Sequence, residues 1–158
     1  MSVNKHRPHV FILPEDDANL QIANGFVLEF PTRQIQRLPV AGGWHEVLIR
    51  FESEHIIGME KYSERVMVLL IDFDRQTSRL DEAKAVIPAH LAERAFVLGA
   101  WDEPEDLTKD LGSFETIGRN LANDCRNNTD KVWGHDLLKH NADEVARFCE
   151  RARPILFS

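Results

Sequence analysis

Residues 66–74 read VMVLLIDFD. The stretch opens with an unbroken apolar run rich in branched side chains. A run of that length without alternation predicts a strand buried on both faces, which belongs in the middle of a parallel sheet. Two aspartates, Asp72 and Asp74, follow it directly. Upstream, residues 9–13 (HVFIL) form a second such run, closed by Pro14. Downstream, residues 95–100 (AFVLGA) form a third. A weaker strand is predicted over residues 34–40 (QIQRLPV), interrupted by Pro39 and stopped at Gly42-Gly43.

Between these runs the period lengthens to that of a helix. Ala18, Ile22 and Phe26 share one face, Asp16 and Asp17 suit a first turn, and Asn24-Gly25 is expected to loosen or end the helix. A helix over 44–59 places Trp44, Val47, Leu48, Phe51 and His55 on one side. A short helical pattern covers 80–91, and two further ones cover 104–125 and 131–152. The terminal Ile155-Leu156-Phe157 is expected to add an edge strand or to dock. Strands alternating with helices predict an α/β fold. It is a three-layer Rossmann-like arrangement with a four-stranded, mainly parallel sheet and extra C-terminal helices. The 158 residues fit a single domain, 1–158, with its core at about 9–100 and a helical extension at about 104–158.

No apolar run reaches membrane-spanning length, and the first residues lack the apolar centre of a signal peptide. Cys125 and Cys149 are the only cysteines, far apart in the chain. They argue against a disulfide framework or a zinc site and for a reduced, cytoplasmic protein. A formal charge of −7 opposes binding to nucleic acid through a basic face alone. Bound divalent cations or a partner protein would have to supply the missing attraction.

In open parallel sheets, function collects at the carboxyl ends of the strands. Here three strands end in acids: Glu15-Asp16-Asp17, Asp72-Phe73-Asp74 and Asp102-Glu103. Crowding like charges at one edge raises the cost of ionising each, and a divalent cation removes that conflict. Residues two apart on an extended chain point the same way, so Asp72 and Asp74 are expected side by side, with Glu15 facing them across a neighbouring strand. Hard oxygen ligands of this kind suit Mg2+ or Mn2+.

Taken together, the pattern resembles the Toprim domain over roughly residues 10–99. The likeness rests on a buried strand ending in Glu15, a short strand ending in a glycine pair (LPVAGG), a strand ending in Asp-x-Asp (VLLIDFD) and a last strand, AFVLG. The resemblance implies Mg2+-dependent phosphodiester chemistry. Glu15 would serve as general acid/base or metal ligand, and Asp72 and Asp74 would hold the ion. OLD-like and small stand-alone Toprim nucleases look most similar. They carry further acids after the fourth strand, a part that Glu103, Glu105 or Asp106 would take here. The substrate implied is DNA or RNA, handled with a protein partner, as in a defence complex, or by a homo-oligomer. The sequence departs from the family pattern at Asp16 (usually glycine), Asn19 (often aspartate) and Arg75 (usually small).

Outside the acids, Arg75 and Arg79 are candidates for gripping a phosphate. Lys139, with Lys131, His135 and His140, makes a basic patch on a predicted helix. Asp16 and Asp17 read as helix-start residues rather than ligands, and Trp44, Trp101 and Trp133 as core. The alternative function is a non-catalytic binding or signalling module, either receiver-like or an inactive Toprim scaffold. A haloacid-dehalogenase-like reading of IDFDRQT is weaker, because that motif normally opens the first strand.

Overall fold

The computed structural model describes residues 3–157. Strand β1 (His9–Pro14) is followed by helix α1 (Asp17–Leu28) and strand β2 (Ile35–Arg37). One long helix comes next, made of α2 (Trp44–Arg50), a π-turn (Phe51–His55) and α3 (Ile56–Lys61). Strand β3 (Arg65–Leu70), helix α4 (Thr77–Ala85) and strand β4 (Ala95–Leu98) complete the α/β core. Helices α5 (Thr108–Leu111), α6 (Phe114–Asn127) and α7 (Ala142–Leu156) close the chain.

The sheet is parallel throughout, in the order β2-β1-β3-β4. Its continuous apolar strands divide by alternation into two cores. Val10, Ile12, Val68, Phe96 and Leu98 face α1, α6 and α7, packing on Phe26, Ile117, Leu121 and Phe148. Phe11, Leu13, Met67, Leu69 and Val97 face the other way, onto Val47, Phe51, Met59 and Ala83 of the α2–α3 helix and α4. The result is a three-layer Rossmann-like fold with added C-terminal helices. Each fully buried Leu, Phe or Met in these layers contributes about 1.5–3 kcal/mol. No helix among the described residues is long and apolar enough to cross a membrane.

Several local expectations are corrected. Helix α1 runs straight through Asn24-Gly25, because Gly25 is where it crosses α6. A Cβ at Gly25 would collide with the Glu115 backbone, and one at Gly118 with the Ile22 carbonyl. The predicted helix over 104–125 breaks at Gly112 (φ +92°), and α6 restarts under a cap in which Ser113 Oγ accepts the Thr116 N–H. Residues 130–138 form turns rather than helix. Asp124, buried at 3% exposure, gathers them: its carboxylate accepts from Thr129 Oγ1 and from the N–H groups of Lys131, Val132 and Trp133 at 2.7–3.2 Å. The basic patch therefore does not share one helix face: Lys131 and His135 sit in turns, and Lys139 and His140 in a short 3-10 helix. Ile155 and Leu156 sit in the last turn of α7, not in an edge strand. Cys125 and Cys149 are joined by a disulfide between α6 and α7, contrary to the expected pair of reduced thiols.

Candidate metal centre

Chain order reverses between β1 and β3, so a crevice opens beyond their carboxyl ends. Glu15 stands there because the ladder carries it one residue past β1: its N–H donates to the Leu70 carbonyl at 2.9 Å. The Glu15 carbonyl accepts from Gly42 and Gly43, at 2.9 and 3.2 Å, in the turn after β2. Its Oε2 accepts the Asp72 N–H across the crevice at 3.1 Å.

Asp16 is the N-cap of α1, taking the Asn19 N–H at 3.0 Å. The Asn19 side-chain amide then ties two acids together, donating to Asp16 Oδ1 at 3.0 Å and Asp72 Oδ1 at 2.9 Å. Asn19 itself is buried. Carboxylate oxygens of Glu15, Asp16 and Asp72 all lie within 4.8 Å of one another. The cleft around them holds about 440 Å³ and is also lined by Asp74, Asp102, Glu103, Trp44 and Arg79.

Such crowding has an electrostatic signature. Burial pushes the Glu15 carboxyl up to about 8, helped by its hydrogen bond with Asp72 and by the charges of Asp72 and Asp16. Burial likewise raises Asp72, although Asn19 and Glu15 hydrogen bonds oppose the shift. Near neutral pH, Glu15 therefore retains a proton that a cation could replace. The donor set is entirely of hard oxygens, which fits Mg2+ or Mn2+. Glu15, Asp16 and Asp72 would hold the ion.

Asp74 does not join them. Ladder bonding to β4 continues past Leu70, with the Ile71 and Phe73 N–H groups donating to the Leu98 and Ala100 carbonyls. Asp74 and Arg75 then adopt positive φ, +49° and +57°, which swings the chain outward. Asp74 is exposed and lies 3.5 Å from Arg79 Nη2. Arg79 is planted on the Trp44 ring, 4.6 Å from its centroid, and donates from Nη1 to the Asp72 carbonyl at 2.8 Å. Arg75 pairs with Asp102 at 2.8 Å. Glu103 is exposed on the cleft rim. Lys139 is not at the cleft: it pairs with Asp136 at 3.2 Å and lines a separate groove beside α7. His135 pairs with Asp110, while the His140 ring packs against Phe73 and Trp101. Sequence reasoning took Asp16 for a cap alone and Asn19 for a mere departure. Asp16 lies three residues before Asn19, the cap spacing that makes the link readable.

Comparison with known proteins gives no matching family model and no significant match among curated proteins or solved structures.

Proposed function

We propose that the chain is a Mg2+- or Mn2+-dependent enzyme of phosphodiester chemistry, a nuclease acting on DNA or RNA with a protein partner or a second copy of itself. The observation that carries this reading is the convergence of Glu15, Asp16 and Asp72 at the switch point of a parallel sheet. A bound divalent cation supplies charge neutralisation for phosphate oxygens. The chain's own groups do the rest. Glu15, titrating near 8, holds or releases a proton close to neutral pH. Asn19 fixes the spacing of Asp16 and Asp72, and Arg79, stiffened by Trp44, offers a cation at the rim for a phosphate.

The test is a Mg2+ and Mn2+ titration of the wild type, Asp72→Asn and Asp74→Ala, followed by thermal shift and by cleavage of single-stranded DNA and RNA. Metal should raise the wild-type Tm and support cleavage, and Asp72→Asn should lose both. Asp74→Ala should keep most of the metal-induced stabilisation, because Asp74 stands outside the cluster. A wild type whose Tm ignores both metals would end the reading.

The outward turn at Asp74 favours a second reading, a metal-binding module that does not hydrolyse. Stabilisation by metal without cleavage of any offered substrate would select it.

A further inference from the structure

At the opposite end of the sheet, His9 opens β1 and Arg65 opens β3, and the two are paired in register. Both are buried, at 0% and 5% exposure. Arg65 Nε can only donate, and it reaches His9 Nε2 at 3.0 Å. His9 Nδ1 must then carry the hydrogen that it gives to the Arg7 carbonyl at 2.8 Å. The imidazole is neutral, so it offers Arg65 no counter-charge.

The remaining surroundings of Arg65 are no more compensating. Its guanidinium carbon lies 4.3 Å from the Phe11 ring centroid and 4.8 Å from that of Tyr62. Nη1 presses on Gly58, where a Cβ would collide with it. Among the described residues, no carboxylate pairs with Arg65. Buried charges are ordinarily paired, because desolvation of an isolated ion is costly.

Further positive charge gathers at the same ring. Lys61 Nζ is 5.4 Å and Lys5 Nζ 5.7 Å from the Tyr62 centroid. Both lysines are exposed, and neither forms an ion pair among the described residues. Arg94 stiffens the frame, donating to the carbonyls of Arg65, Met59 and Tyr62 at 2.7–3.3 Å. Three cations thus surround one tyrosine in a chain whose net charge is −7.

We infer that Arg65, Lys5 and Lys61 form an anion site around Tyr62 that takes a phosphate group. A guanidinium packed against two rings keeps the donors not given to His9 in a fixed direction, and two exposed ammonium groups add charge that suits a dianionic tetrahedral oxyanion. The site stands at the far end of the sheet from the carboxylates, so it does not depend on the metal reading.

The experiment is calorimetric titration of the intact chain with inorganic phosphate. Ionic strength is held constant with NaCl, and EDTA keeps divalent metal out of the acidic cleft. A nucleoside monophosphate and its parent nucleoside are run in parallel. Wild type should bind phosphate, and Lys5→Ala/Lys61→Ala should weaken it at least fivefold. This variant changes only exposed side chains, and its Tm without phosphate should match wild type. Tighter binding of the monophosphate, with the nucleoside silent, would assign the group to an ester. No phosphate binding beyond the NaCl control, or unchanged affinity in the double variant, would overturn the site.

Discussion

Glu15 is the residue on which the acidic cleft turns, and its proton gives a prediction with a defined sign. In the unfolded chain the carboxyl titrates near 4.5, and in the folded chain it is raised to about 8. Between those values the folded state holds a proton that the unfolded state has shed. Stability of the metal-free protein should therefore fall as pH rises through that window and level off above it. Glu15→Gln, which mimics the protonated acid, should flatten the slope when Tm is followed from pH 5 to 8.5 in EDTA. Saturating Mg2+ should do the reverse in wild type, stabilising more as pH rises, since the ion takes the place of the proton. At a hundredfold excess over Kd the gain is about 3 kcal/mol. At this scale the sequence was partly legible. Glu15 and Asp72 stand at strand ends and could be read from the apolar runs before them. Asp74 could not, because the left-handed turn that takes it outward depends on where β3 stops hydrogen bonding.

Among the elements, the crossing of α1 and α6 decides how the first core closes. Gly25 and Gly118 let the two helix backbones approach to a distance that no side chain permits. Gly118→Ala adds helix propensity to α6, yet it should destabilise by about 1–3 kcal/mol, because the methyl meets the Ile22 carbonyl. Urea denaturation would measure it, and a neutral or stabilised variant would contradict the crossing. The same pair explains a misreading. A glycine inside a helical pattern looks like a stop signal when the partner helix, some ninety residues away, is not in view. Strands fared better, since a buried parallel strand announces itself by its own composition. The winding of residues 130–138 around Asp124 was hidden for the opposite reason: its organising group is one carboxylate outside the segment, and the segment's own pattern passes for helix.

For the molecule as a whole, the Cys125–Cys149 disulfide closes a loop of 24 residues between α6 and α7. Its removal should cost about 3 kcal/mol through the freedom regained by the unfolded chain. Cys125→Ser/Cys149→Ser compared with wild type by urea denaturation, with and without reductant, measures this. Reductant should lower wild-type stability and leave the variant unchanged. The metal response should survive in both, as neither cysteine lines the acidic cleft. From the sequence the two cysteines read as separate, because their pairing is a property of helix packing and not of spacing.

Helix α7 also reaches the sheet. Glu144 accepts the outward N–H of Val97 at 2.9 Å. Asn141 accepts from the N–H of Gly99 and donates to its carbonyl, at 3.2 and 2.9 Å. These are among the outward groups through which a fifth strand would be added, so α7 blocks strand addition on the β4 side. Among the described residues the short β2 margin is the sheet's other edge, and an object with one adhesive edge has a limited geometry of self-association. Two copies can meet through it about a twofold axis, and then nothing is left to recruit a third. Edge-to-edge growth of this sheet stops at a pair and cannot run on into a fibre.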